Sequence, residues 1–384
     1  MATTTSPELV ILESQSSSDA GNNSESLIVR FEKWMIANQK MKLKQKLIFF
    51  RLLATMVNAG LPVLKAIGIL EKQEKNLVLK NYYTKTIAGI RGGHSLSDTL
   101  RSFGTSFGEA ECSIIESGEK TGKLNSALIQ LAEQVEKVSS ISKKIKGAMI
   151  YPGMIVIVML GSIGVLMTMV VPKLIEIFGD RDKLPASTQM LIAVSDFMVA
   201  YWWAMIIGIF LFVGLVAIWK GTPSGKFQFD RLLLKFPVIG MLLKKVILSK
   251  FARVLSNLLS NGISIVESLR IVSEVVDNEV YRQRILLLRE DVKRGIKIGE
   301  SLEDDALFPD ILVQMIKVGE ETSKTDTIIL KIAEFYDEEV DATVAGMNKI
   351  LEPIIIVTMA VVVGVIAVGI LQPIMQLSDV VSQQ

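Results

Sequence analysis

Two short stretches come near to a phosphate-binding P-loop, in which glycines and a lysine surround the phosphates of a nucleotide. They are residues 118–123, GEKTGK, and residues 221–226, GTPSGK. Each has three residues between its glycines where a P-loop has four, and Leu124 or Phe227 replaces the Ser or Thr that binds magnesium. The sequence therefore predicts a turn between helices at 118–123, a juxtamembrane loop at 221–226, and no nucleotide site.

A pair of glutamates has the right chemistry for general acid and base catalysis. Glu119 and Glu320 each follow a glycine and lie 201 positions apart, so one duplicated position accounts for both. A carboxylate just before or within the first turn of a helix accepts hydrogen bonds from free N–H groups and complements the helix dipole. We therefore predict a structural role for both glutamates, and a contact with a partner stays open as the alternative.

Other residues that catalyse reactions or bind metals are scarce. The chain has one cysteine, Cys112, and one histidine, His94, so zinc sites and Cys/His pairs have almost no raw material. Cys112 is predicted to pack as a small hydrophobic side chain. No catalytic, cofactor-binding or metal-binding residue is predicted, and the protein is not expected to be an enzyme.

The composition points to membrane segments that alternate with soluble domains. Of the 384 residues, 50% are hydrophobic and 21% are charged, which is too apolar for an ordinary soluble enzyme and too charged for a purely lipid-embedded bundle. The net charge of +2 gives no support for a nucleic-acid partner. Residues 1–27 are polar and lack the apolar core of a signal peptide, so we expect a disordered tail there.

Three apolar segments predict transmembrane helices at 153–171, 198–219 and 351–371, and their apolar centres carry no charged residue. Lysines 143, 144 and 146 precede the first segment and Lys349 precedes the third, so the positive-inside rule places the N-terminus in the cytoplasm. The loop at 172–197 and the tail at 372–384 then lie outside. The three lysines either sit in a helix that continues into the membrane or are ordinary positive-inside residues, and the second interpretation is preferred.

The chain also contains an internal duplication. Gly60 matches Gly262 at an offset of 202, and Pro152 matches Pro353 at an offset of 201. Because helical periodicity dominates both copies, we predict two cytoplasmic helical bundles at 28–150 and 220–350, with the second transmembrane helix as an unpaired return crossing. The fold class is thus an all-α membrane protein with two repeated bundles and three transmembrane helices. Four glycines are predicted to follow helix C-termini: Gly60, Gly118, Gly262 and Gly319.

Several motifs together resemble the inner-membrane platform proteins of type IV pilus and type II secretion machines over residues 46–375. Gly-Glu turns recur in both copies, a proline opens the first and third spans, and a Pro-containing motif lies between the first two spans. Their residues are Gly118, Glu119 and Gly122; Gly319 and Glu320; Tyr151, Pro152, Glu352 and Pro353; and Pro172, Leu184, Pro185 and Thr188. With Gly60 and Gly262, the Gly-Glu residues are candidates for a partner interface.

The resemblance implies a non-enzymatic adaptor in the inner membrane of a prokaryote, without a cofactor. Its implied partners are a hexameric ATPase, pilin or pseudopilin subunits, other inner-membrane assembly proteins and a second copy of the chain. A transporter or channel subunit is the alternative, and the charge-free spans argue against it. A membrane scaffold unrelated to filaments is the remaining alternative.

Overall fold

The computed structural model describes residues 40–173 and 185–381, which form fourteen α-helices and no strand. The prediction of an all-α protein is therefore confirmed for this part of the chain. The predicted tail at 1–27, Leu184 of the loop motif and the last residues, 382–384, lie outside the described residues.

The helices fall into two series of six, separated by two others. The first series is α1 Leu43–Asn58, α2 Val63–Gln73, α3 Leu77–Arg91, α4 Leu96–Arg101, α5 Glu109–Lys120 and α6 Leu124–Val165, which continues as a π-helix over Leu166–Val170. Helices α7 Ala186–Lys220 and α8 Pro223–Lys235 follow. The second series is α9 Pro237–Ser260, α10 Ile265–Val275, α11 Glu279–Lys293, α12 Ile298–Ser301, α13 Asp310–Glu321 and α14 Thr325–Val381.

The two series keep the register of the sequence repeat. Helices α2 and α10 begin 202 positions apart, and so do α4 and α12. Helices α5 and α13 begin 201 positions apart, so the missing residue lies in the loop before α13. We call α1–α6 copy 1 and α9–α14 copy 2.

Each copy has an aromatic core in which equivalent residues meet. In copy 1 the ring centroids of Phe49 and Phe107 lie 5.8 Å apart. In copy 2 those of Phe251 and Phe308 lie 5.4 Å apart, and Tyr281 stacks its edge on Phe308 at 5.7 Å. Such edge-to-face contacts add to the free energy gained by burying the rings, so the core of each copy is built around one repeated pair.

The chain divides into two compact units between Glu136 and Lys137, inside α6. Beyond that point α6 packs on copy 2, where Ile141 joins a cluster with Leu242 and Val340. Lys144 forms an ion pair of 2.7 Å with Asp341 of α14. The lysines before the first apolar segment therefore lie within one continuous helix, the interpretation that the sequence left as the less favoured.

Three helices are long and apolar enough to cross a membrane: Leu124–Lys173, Thr188–Lys220 and Thr325–Gly369. The second begins earlier than predicted, because α7 starts directly after Pro185 and packs Leu191 and Ile192 against Met167 and Ile366. Part of the predicted loop at 172–197 is thus helical. Likewise α14 runs to Val381, through most of the predicted C-terminal tail.

Candidate functional site

Glu119 caps a neighbouring helix. It lies in the last turn of α5, where its Oε1 accepts the backbone N–H of Leu96 at 2.7 Å. Its Oε2 accepts the N–H and the hydroxyl of Ser97, at 3.2 and 2.6 Å. The N–H groups in the first turn of α4 have no acceptor inside this six-residue helix, and the carboxylate supplies one.

Glu320 does the same in copy 2. From the last turn of α13 it accepts the N–H groups of Ile298 and Gly299 at 2.7 and 3.0 Å, at the start of α12. The predicted capping of free N–H groups is therefore observed, but the predicted position is wrong. Each glutamate stands near the end of its own helix and caps a helix more than twenty residues earlier, which folding brings close.

Gly118 and Gly319 are not helix-terminating residues, contrary to the prediction. Both lie inside their helices and let the next helix approach. A Cβ on Gly118 would lie 2.7 Å from the Cβ of Ala127, whereas a Cβ on Gly319 would lie 3.2 Å from the Cβ of Ile328. The glycine is required because the following helix starts against this turn, most tightly in copy 1.

The prediction of a glycine after the helix end is confirmed at Gly60 and Gly262, whose φ angles are +83° and +77°. For α5 that position is Gly122, with φ of +71°. For α13 it is Ser323, with φ of +53°. An L-residue in this left-handed region is strained, so the serine that copy 2 has in place of glycine carries a conformational cost.

The two P-loop-like stretches have structural roles. Residues 118–123 form the end of α5 and a turn, as predicted. Residues 221–226 form a two-residue turn and the first residues of α8, where the Thr222 hydroxyl accepts the N–H of Gly225 at 3.1 Å. The predicted loop is thus a helix start with Pro223 in its first turn, a position at which proline loses no hydrogen bond.

Cys112 is buried in α5, and burial raises the pKa of its thiol to about 12. His94 lies exposed in the turn after α3. Within residues 40–173 and 185–381, no group of His, Cys, Asp or Glu is arranged to hold a metal ion.

The motif between the first two spans reaches α14. Pro185 precedes the first residue of α7. The buried Thr188 hydroxyl donates to the carbonyl of Gly369 at 2.7 Å. A Cβ on Gly369 would lie 2.0 Å from Leu191 Cδ1, so α7 and α14 cross closely here. Pro172 lies in the helical residues that end the first span.

The acidic partners of two arginines were not predicted from the sequence. Arg51 pairs with Glu136 on α6, and Arg253 pairs with the buried Asp337 on α14. The matching acids at 136 and 337 are the signal that would have revealed the pairs.

The pre-proline residues lie at one end of a membrane groove. Tyr151 on α6 and Glu352 on α14 occupy equivalent repeat positions, each followed by a proline within a continuous helix. Both line a groove of about 520 Å³ between the two helices. The groove is otherwise lined by apolar side chains and Ser162.

Comparison with known proteins identifies the family to which the chain belongs. The family described as "Type II secretion system (T2SS), protein F" matches residues 49–172 and 251–373. The chain belongs to the type II secretion system protein F family. Each matched segment begins in the first helix of one copy and ends just beyond or within the membrane-crossing helix, so the family unit is the repeat itself.

Relatives in this protein F family come from two kinds of machine. Type IV pilus assembly protein TapC of Aeromonas hydrophila is 33% identical over 89% of this chain and 83% of its own length. Type IV pilus assembly protein PilC of Pseudomonas aeruginosa is 32% identical over 90% and 93%. Type II secretion system protein F of Vibrio cholerae is 30% identical over 87% and 82%. The resemblance found in the sequence is thereby confirmed.

Proposed function

We propose that the protein is the inner-membrane platform of a type IV pilus or type II secretion machine. In this role it couples a cytoplasmic hexameric ATPase to the insertion or extraction of pilin-like subunits, and it catalyses no reaction itself. The observation that carries the proposal is the continuity of α6 and α14, which run from the bundles into the apolar spans. Membership of the protein F family indicates the kind of machine to which the protein contributes.

The two long helices suit the transmission of movement. Helix α6 has 42 residues and α14 has 57, which at 1.5 Å per residue corresponds to about 63 and 85 Å. No flexible linker separates bundle from span. A rotation or shift of a bundle is therefore carried into the membrane by the same helix.

A layer of contacts before the spans joins these helices to each other. Lys144 pairs with Asp341, Lys137 lies 3.3 Å from Asp337, and Ile141 packs among α9 and α14. Since apolar packing and ion pairs act together here, movement of one helix displaces the other. This layer is where we expect force from the ATPase to pass from copy 2 to α6.

The proposed orientation follows the charge distribution. Lysines flank the spans on the side of the two bundles, so both bundles and the N-terminus face the cytoplasm, and the C-terminus faces outward. This arrangement presents copy 1 and copy 2 to a cytoplasmic ATPase. The repeated Gly-Glu regions remain candidates for that contact, together with a homodimeric or higher assembly.

Deletion and complementation in the source organism test the proposal. Deleting the gene should abolish surface filaments or secretion, and the full chain should restore them. Continued filaments and secretion after deletion would overturn it, and solute transport by the purified protein in liposomes would favour the transporter alternative.

A helix-breaking variant tests the mechanical part. Lys143→Pro removes a backbone N–H and clashes within α6, at a cost of about 3 kcal/mol in a helix interior. We expect it to abolish assembly at normal membrane abundance, whereas Lys143→Ala, the matched control, should assemble normally. Equal assembly by both variants contradicts transmission through α6.

A further inference from the structure

The membrane groove has the dimensions and chemistry of a binding site. Its walls follow α6 from Tyr151 to Leu166 and α14 from Glu352 to Ile366, at intervals of three or four residues on each helix. Val158 and Ile356 in these walls are 62% and 59% exposed, so the facing surfaces leave large apolar areas without a protein neighbour. Two helices splayed in this way leave room for a third between them.

The groove has a single charged group, at one end. The lining contains one ionisable acid, Glu352, which is exposed and has no ion pair or hydrogen bond to another of the described residues. Its repeat equivalent across the groove is Tyr151, which has no charge. A carboxylate at the edge of an apolar, membrane-spanning surface attracts a cation, and none of the described residues supplies one there.

We propose that this groove binds one membrane-spanning helix whose cytoplasmic end places a cationic group against Glu352. The positive-inside rule gives most single-span helices basic residues at that end. The proposal rests on the proposed function, since it takes the bound helix to be that of a pilin-like subunit handled by the platform.

The length of the groove favours a helix over a lipid. The walls run over residues 151–166 and 352–366, which at about 1.5 Å per residue corresponds to about 22 Å of helix. This length exceeds one leaflet, which is about half of the roughly 30 Å hydrocarbon core. A lipid anchored at Glu352 would fill only the part within its own leaflet. A helix contacts the whole length.

The wall composition favours reversible binding. Met154, Met159 and Met359 lie in the lining, and the flexible thioether side chains adapt to partners of different shape. A subunit that is bound and then passed into a filament needs such a surface. The uncharged remainder of the groove lets the helix slide out without breaking further ion pairs.

Disulfide crosslinking of the full chain in its native membranes tests the groove. Cys112→Ser removes the only cysteine, Ser162→Cys then places a thiol in the groove, and the probe is the tagged pilin-like subunit of the same system with single cysteines along its apolar helix. The control thiol is Gly208→Cys on α7, which has open space around it. We expect at least about ten times more crosslinked subunit from position 162 than from position 208.

Glu352 variants test the charge. Glu352→Lys should lower the crosslink yield at position 162 about tenfold by repulsion, Glu352→Gln about fivefold or less, and Glu352→Asp should retain most of it. Equal yields in Glu352→Lys and wild type overturn the cationic contact. Crosslinks at position 162 only to a second copy of this chain, or equal yields at 162 and 208, overturn the site.

The outcome for the groove is separable from that for the platform. If deletion of the gene abolishes filaments or secretion while position 162 gives no subunit crosslink at normal abundance, the groove assignment is wrong and the platform function stands. If deletion leaves both processes intact, the platform function is wrong, whatever the crosslinks show.

Discussion

Copy 1 and copy 2 keep the same contacts with different residues. Arg101 and Glu116 form an ion pair of 2.8 Å in copy 1, and at the equivalent places Glu303 and Lys317 form one of 2.7 Å in copy 2. The charges are reversed and the contact is retained. The comparison teaches that the repeat preserves the geometry of its contacts. A residue is therefore informative about structure where both copies share it, and about a difference between the copies where its change is not matched by a change in its partner.

By that criterion the copies have a shared frame, and two of the positions at which they differ are unmatched in conformation or in charge. The frame is the glutamate cap, Glu119 in copy 1 and Glu320 in copy 2. The first unmatched position is the turn at Gly122, which is the strained Ser323 in copy 2. The second is Tyr151, which is Glu352 on α14. We infer that the cap builds both bundles and that the copies differ in function at the groove.

Removal of the cap should give the largest effect. Glu119→Ala leaves the N–H groups of Leu96 and Ser97 without their acceptor, and lost hydrogen bonds to a charged group cost about 2–3 kcal/mol. Glu320→Ala should cost somewhat less, because copy 2 has no hydroxyl in place of Ser97. Thermal unfolding of the full chain in detergent measures both. Wild-type stability in either variant breaks the claim of a shared frame.

Adding a methyl group to the glycine before each capping glutamate should give the second largest loss of stability. Gly118→Ala brings a Cβ within 2.7 Å of Ala127, and Gly319→Ala meets Ile328 at 3.2 Å. Overpacking of this kind costs about 1–3 kcal/mol, with the larger value expected in copy 1. The reverse order of the two melting temperatures would contradict the observed difference in helix spacing.

The residues that follow α5 and α13, Gly122 and Ser323, can be exchanged to compare the two copies directly. Gly122→Ser introduces strain at φ of +71°, and Ser323→Gly relieves it at +53°. We expect a loss and a gain of about 1 kcal/mol respectively. Unfolding of the same detergent-solubilised protein measures both, and the same sign of change in both variants would show that the turns are not equivalent.

The reversed ion pair predicts a small but specific coupling. Arg101→Glu or Glu116→Lys alone should destabilise the protein by about 0.5–1 kcal/mol, since the pair is partly exposed. The double variant restores the pair with its charges reversed, but the new carboxylate lies beside Asp98 and Glu109 and the new ammonium beside Lys120, so it should recover part of the loss. A double-mutant cycle measures the coupling, and strict additivity of the two changes would contradict it.

The same pair predicts a pH effect in copy 1. Hydrogen bonds from Lys120 and Arg101 lower the pKa of Glu116 below its ordinary 4.5. A lowered pKa in the folded state means that the stabilisation is present above about pH 4.5 and is lost as the pH falls below it. Glu116→Gln should therefore flatten the stability profile below pH 4.5 when unfolding of the detergent-solubilised protein is measured across this range, and an unchanged slope would contradict the prediction.

The repeat, the helical class and the three apolar segments could be predicted because they depend on local periodicity and on a shared offset. The glycine positions after α1 and α9 followed from local turn chemistry. The targets of Glu119 and Glu320 could not be predicted, because they are set by helix packing over twenty residues away. The start of α7 at Ala186 could not be predicted either, since its first turns are held by packing on Met167 and Ile366.

The most direct test compares assembly per molecule in cells. A deletion strain carries wild type, the double variant Glu119→Gln and Glu320→Gln, or Glu352→Lys, and filaments or secreted protein are divided by the amount of platform in the membrane. We predict lowered abundance with normal assembly per molecule for the double variant, and normal abundance with little assembly for Glu352→Lys. Normal abundance without assembly in the double variant, together with full assembly in Glu352→Lys, would contradict the account.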